Sequence, residues 1–65
     1  MKSIRDLKQG EFFTLRPIAE PTENQVYIRG AYDRSARKYE CGKFSDISYS
    51  RLFNGSKMVY TDFTF

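Results

Sequence analysis

Histidine is absent from this 65-residue chain, and cysteine occurs once, as Cys41. The first absence removes the usual zinc ligand sets and the commonest general base; the second rules out an intramolecular disulfide. No apolar run approaches the roughly 20 residues of a membrane-spanning helix, and residues 1–10 lack the apolar stretch of a secretory signal. A cytoplasmic location is therefore expected, with no membrane and no metal among the partners, and a lone thiol suits a reducing compartment. Neither sign of charge dominates: 11 Lys and Arg against 8 Asp and Glu leave a net +3. That surplus keeps a small protein soluble without demanding a polyanionic partner.

Catalysis has little to work with. There is no glycine-rich phosphate loop and no paired metal-ligand spacing, and the usual nucleophile and base pairs cannot be assembled. Carboxylates at Glu11, Glu20, Glu23, Asp33, Glu40, Asp46 and Asp62 are scattered, and a domain this small seldom has a cleft that shifts their pKa values usefully. Neither an enzyme nor a cofactor is expected. Cys41 alternates with Tyr39 and so points inward, where a free cysteine acts as a small hydrophobe.

What the chain does have is aromatic rings, six Phe and five Tyr. Each buried ring takes roughly 150–250 Å² out of water, so these are the expected core material of a single domain over residues 1–65. Such a chain buries only about 60% of its unfolded surface, and self-association is a common support at this size.

The pattern along the chain is that of strands and turns. Ser3-Ile4-Arg5-Asp6-Leu7 suits one helical turn with Ser3 as cap and Ile4 and Leu7 on one side. Gly10 ends it by permitting a positive φ, and residues 11–16 read as the first strand. Pro17 and Pro21 bracket an acidic loop. Residues 25–33 form a half-buried strand, with Val26, Ile28, Gly30 and Tyr32 on the inner face and Tyr27, Arg29, Ala31 and Asp33 on the outer. A four-residue loop, Arg34-Ser35-Ala36-Arg37, would set Asp33 opposite Lys38, Tyr32 opposite Tyr39 and Gly30 opposite Cys41. Gly30 then marks a bend or close approach. Residues 44–49 are ambiguous between a short turn, capped by Ser45 and joining Phe44 to Ile47, and a loop, and are read as a crossover.

Asn54-Gly55 is the strongest local signal, because both residues tolerate the positive φ of a type I′ hairpin turn. It would join strands over residues 49–53 and 56–63, with Arg51 opposite Met58 and Tyr49 opposite Tyr60. Thr61, Phe63 and Phe65 alternate beyond, which suggests a tail tucked into the core or against a partner. The expectation is an all-β domain of five short antiparallel strands, forming a small barrel of SH3-like or OB-like size or a strongly twisted sheet, with one short helical turn.

One constellation points to a ligand. On the outer face of the central hairpin, Tyr27 and Arg29 lead to Arg34, Arg37 and Lys38 at the tip, and Arg16, Lys43 and Arg51 extend the patch if the strands neighbour as supposed. Cationic groups neutralise phosphates while a ring stacks on a base, which is what single-stranded nucleic acid requires of a small β domain. The first reading of these charges is nonetheless a solvated, aggregation-resisting edge, because Asp33 and Glu40 within the patch weaken its field. A protein partner or a symmetric homodimer is the competing use, because Tyr and Arg are enriched at interface hot spots.

Asp6-Leu7-Lys8-Gln9-Gly10-Glu11-Phe12-Phe13, then Val26-Tyr27-Ile28-Arg29-Gly30 with Tyr32-Asp33-Arg34-Ser35, and later Lys43-Phe44-Ser45-Asp46-Ile47 and the Gly55 hairpin, resemble a set of small uncharacterised bacterial and phage-associated proteins. The resemblance runs nearly end to end. It implies a short single-domain product from a mobile-element setting, where a nucleic-acid accessory or a host-factor binder would fit, and it assigns no activity and no site residues.

Overall fold

A computed structural model describes residues 1–65, apart from the side chain of Ile47, so the expected meeting of Phe44 with Ile47 lies outside the described residues. In chain order the elements are β1 (Lys2–Ser3), a 3-10 turn (Ile4–Asp6), β2 (Phe12–Phe13), a second 3-10 turn (Glu23–Gln25), β3 (Tyr27–Asp33), β4 (Lys38–Lys43), β5 (Asp46–Phe53) and β6 (Met58–Val59). The fold is thus mostly β, with two antiparallel sheets: β1 beside β6, and β2-β3-β4-β5 in that order. A Thr14↔Tyr60 bridge links them. The ladders do not close into a barrel.

Local chemistry accounts for the turns. Ser3 supplies the residue before the first 3-10 turn, and its hydroxyl donates to Asp6 Oδ2 at 2.8 Å. The turn buries Ile4, and Leu7 just beyond it is buried too, as the spacing predicts. Gly10 takes φ 92°. Just after Pro21, Gln25 Oε1 accepts from the Thr22 N–H at 2.9 Å, which organises the second 3-10 turn by satisfying an orphan donor.

The central hairpin keeps its expected tip and loses its expected base. Asp33↔Lys38 and Tyr32↔Tyr39 are partners, but the next pair is Arg29↔Cys41, with a register shift between. Gly30 and Ala31 together face Glu40, which is a β-bulge. A Cβ on Gly30 would lie 2.3 Å from the Glu40 carbonyl oxygen, so only glycine lets the strands approach here. The bulge carries Tyr27 and Arg29 onto the same face as Tyr32, Tyr39 and Cys41. That face is the core side, opposite to the one expected for Tyr27 and Arg29.

Two further expectations are corrected. Residues 44–49 are neither helix nor crossover: Lys43 pairs with Asp46 across a two-residue turn, and β4 runs directly into β5. A register shift at Gly42/Lys43 absorbs the extra residues at the start of β5, and Asp46 Oδ1 accepts from the N–H and hydroxyl of Ser48 there. Asn54-Gly55 does not join paired strands, because β6 leaves the large sheet and pairs with β1, setting Met58 against Ser3. Tyr60 bridges Thr14 in place of Tyr49. Neither Asn54 nor Gly55 takes a positive φ. Gly55 serves a different need: a Cβ there would lie 2.8 Å from Tyr39 Cε1 and 3.3 Å from Arg5 Cβ.

The core is Ile4, Leu7, Phe13, Cys41, Phe53 and Val59, with Leu15, Tyr27 and Tyr39 packed against it. The N-terminal turn and β6 therefore cover one face of the large sheet. On the other face, Phe12 sits opposite Ile28 and meets Phe44 and Phe65 edge-on at ring distances of 5.6 and 5.9 Å. The tail thus folds back, with Thr64 N–H donating to the Ala19 carbonyl at 2.9 Å, but it joins this partly exposed aromatic group and not the core.

Candidate nucleic-acid interface

At the tip of the β3–β4 hairpin, the core-side face opens into a cleft of about 240 Å³ lined by Arg5, Tyr32, Arg37, Tyr39 and Gly55. Each wall has a structural reason to be there. Arg5 belongs to the first 3-10 turn, and its backbone N–H donates to the Gly55 carbonyl at 3.0 Å, with its Nε reaching the same oxygen at 3.4 Å. Tyr32 and Tyr39 are cross-strand partners whose rings meet at 4.9 Å, tilted by 58°. Arg37 closes the hairpin loop with φ 55°, a left-handed conformation uncommon for a side chain of this size.

Behind the cleft, the Arg29 guanidinium lies 4.3 Å from the Tyr39 ring centre, a cation–π distance. Its Nη1 donates to the Gly30 carbonyl at 2.9 Å, and its Nε is buried without a protein partner. No carboxylate lines the cleft. Asp33 spends Oδ1 on the N–H groups of Ser35 and Ala36 at 2.9 and 3.2 Å. Glu40 pairs with Leu52 in register and so lies on the opposite face from Tyr39. The two acids that dilute the patch in sequence are thus turned away from the cleft or engaged in their own turn. Tyr32 remains 47% exposed, so part of this side chain is open to solvent at the cleft.

Of the remaining expected site residues, Arg16 and Lys43 gather around Tyr27 near the base of the hairpin, apart from this cleft. Tyr27 is half-buried, stacked on Phe13 at 5.7 Å and edge-on to Tyr49 and Phe53 at 6.1 and 6.2 Å. Burial, then the neighbouring Tyr49 hydroxyl, raises its pKa above the ordinary 10.0. Lys43 lies over the Tyr27 and Tyr49 rings at 5.8 and 5.1 Å, and Arg51 covers Phe53 at 5.1 Å. Arg16 borders a separate hollow of about 200 Å³ that Tyr27 also lines, with Leu15, Ile18 and Asn24. Arg34 is exposed at the hairpin tip and Lys38 is half-buried beside it. Of the eight candidates, only Arg37 lines the cleft, Arg29 backs it, and Arg34 and Lys38 flank it in sequence.

Sequence reasoning missed Arg5, Tyr32 and Tyr39 as cleft-lining groups. Arg5 reaches the cleft through the pairing of two-residue strands β1 and β6, for which the sequence carries no periodic signal. The tyrosines are recognisable as a cross-strand pair, but an aromatic pair on a core-side face reads as core. Cys41 is fully enclosed, and burial raises its thiol pKa above 9.0, so it adds no nucleophile. Among the described residues no group of His, Cys, Asp and Glu gathers to hold a metal, and no helix is long and apolar enough to cross a membrane. Compared with protein-family models, with curated proteins and with solved structures, the chain finds no match in any of the three.

Proposed function

We propose that this chain is a non-catalytic binding module that takes single-stranded nucleic acid at the arginine–tyrosine cleft. The observation that carries the proposal is a pair of guanidinium groups, Arg5 and Arg37, flanking two tyrosine rings in a hollow with no carboxylate in its lining. Guanidinium groups bind phosphate oxygens bidentately, and a half-exposed ring such as Tyr32 offers a stacking face that any base can use. Arg34 and Lys38 would draw the flanking backbone towards the cleft. Cleft chemistry of this kind needs no proton transfer, which suits a chain without histidine. The likeness to phage-associated proteins and a cytoplasmic setting are compatible with this role and assign no residue to it.

The test is fluorescence anisotropy with labelled single-stranded DNA and RNA and a duplex control, at low and moderate salt. Two phosphates neutralised on a single strand give a log–log salt slope of about −1.4, or roughly a 7-fold loss of affinity for a fourfold rise in salt. Arg5→Ala/Arg37→Ala should lose roughly tenfold or more, while Arg16→Ala, at the separate hollow, should bind as the parent does. No binding at low salt, or an undiminished double variant, would refute the assignment.

A second reading rests on the Phe12, Phe44 and Phe65 rings, which are 37%, 38% and 50% exposed on the opposite face. A protein partner covering them would bind with little salt dependence and would be lost in Phe44→Ser with the arginine cleft intact.

A further inference from the structure

We infer that strand β5 is a self-complementary edge through which two copies of this chain pair into one continuous sheet. The sheet order leaves β5 with a neighbour on one side only, whereas the far side of the chain's other edge is occupied: Thr14 and Tyr60 exchange hydrogen bonds of 2.9 and 3.0 Å. At eight residues β5 is also the longest strand. It contains neither proline nor lysine, the residues that most often blunt an exposed edge.

The direction of its free backbone groups follows from the neighbouring ladders. Phe44 N–H donates to the Val26 carbonyl at 2.9 Å, and Arg29 exchanges bonds with Gly10 and Glu11 on the β2 side at 2.7 and 3.0 Å. Antiparallel pairs alternate between bonded and non-bonded, so along β4 Gly42 and Glu40 face β3 while Cys41 and Tyr39 face β5. Their β5 partners, Arg51 and Phe53, are therefore bonded inward. Ser50 and Leu52 point their N–H and C=O groups out of the sheet.

Two-fold symmetry then selects a register. Centring the pair on Arg51 would set that guanidinium against its own copy, a like-charge contact. Centring it on Ser50 lets Ser50 exchange both hydrogen bonds with Ser50 of the second copy and lets each Leu52 N–H reach the Ser48 carbonyl of the other, while the Ser48 N–H stays on Asp46 Oδ1 at 3.0 Å. On the core-side face the same register sets Arg51 opposite Tyr49 of the second copy, twice, a cation–aromatic pairing that the strand already favours internally. A second copy also answers the fold's main weakness, a six-residue buried cluster with no disulfide to reinforce it. The interface would be at the small end of the specific range, which corresponds to reversible association at micromolar or higher concentration.

This inference does not depend on the nucleic-acid assignment and is tested without any nucleic acid. Sedimentation velocity of the full chain from about 10 μM to about 1 mM should show the mass rising from one copy towards two. Ser50→Pro removes an edge-directed N–H and no bond to β4, so it should stay monomeric at every concentration with its far-UV spectrum unchanged. Amide exchange on the parent chain decides the matter even if that variant misfolds. Ser50 and Leu52 should exchange roughly tenfold more slowly at the high concentration, with Arg51 and Phe53 unchanged. A monomer throughout, or association that leaves the Ser50 and Leu52 amides unprotected, would overturn the inference.

Discussion

The two ends of the β3–β4 hairpin use one chemistry, a cationic side chain over a tyrosine ring, and put it to opposite ends. At the base, Lys43 lies over Tyr27 and Tyr49, and Tyr27 is already stacked on Phe13 and edge-on to Phe53. Rings and cations there satisfy one another and seal the margin of the core. At the tip, Arg29 occupies one side of Tyr39, but Tyr32, Arg5 and Arg37 face a hollow. The difference lies in what flanks the hairpin: β2 and β5 lie on either side of the base, whereas at the tip β5 reaches Tyr39 through Phe53 but β2 stops at Tyr27 and Ile28, short of Tyr32. Residue type alone does not separate an open cleft from a core margin; the number of neighbours does.

The bulge at Gly30 is what places both clusters on one face, so removing it should do the most damage. Gly30→Ala puts a methyl 2.3 Å from a backbone carbonyl, and backbone cannot swing aside as a side chain can. The expected loss is about 3 kcal/mol, read as a lower urea midpoint with an unchanged slope. Both ends should suffer together, with cleft binding lost along with stability. A variant as stable as the parent would mean that the strands separate freely there and that the bulge does not set the faces.

The extent to which the sequence reveals this arrangement depends on whether each step is local. The hairpin tip is legible because Asp33, Lys38, Tyr32 and Tyr39 reinforce one register from both sides of a short loop. The bulge is only half legible: glycine in a strand announces a bend or a close approach, not which, and one extra residue reverses every face before it. Asn54-Gly55 misleads because glycine answers two needs, positive φ and lack of bulk, and here the bulk of Tyr39 decides. The Phe44-Ser45 turn lacks the Asn-Gly or Asp-Gly pair that marks a two-residue hairpin, and it is recognisable only once Lys43 and Asp46 are seen to pair. The cleft's third wall, Arg5, depends on β1 meeting β6 from opposite ends of the sequence, a contact between four residues that no periodicity announces.

A smaller effect, of opposite sign, separates stability from binding at the tip. Arg37 holds φ 55°, a conformation that costs an L-residue about 1 kcal/mol and glycine almost nothing. Arg37→Gly should therefore stabilise the fold by about 1 kcal/mol or slightly less while weakening the cleft's hold on nucleic acid several-fold. Gain and loss in one variant would show that this arginine is kept for its charge. Weakened stability would instead point to a structural contact of the guanidinium, and unchanged binding would remove Arg37 from the site.

The smallest expected effect is an alkaline one, and it belongs to the closed base and the core beneath it. Burial raises the Tyr27 pKa above 10.0 and that of Cys41 above 9.0, so the folded chain holds both protons after the unfolded chain has begun to release them. Stability is then intact below pH 9.0 and declines as pH climbs through 9.0 for Cys41 and 10.0 for Tyr27, levelling only above the raised folded values. Urea midpoints measured between about pH 8 and about pH 11 should bend downwards in that order. Tyr27→Phe should remove the later part of the decline and Cys41→Ala the earlier part, whatever either substitution does to the midpoint at neutral pH. A flat profile in the parent chain would mean that water reaches both groups, and the contrast between a sealed base and an open tip would then fail at the base.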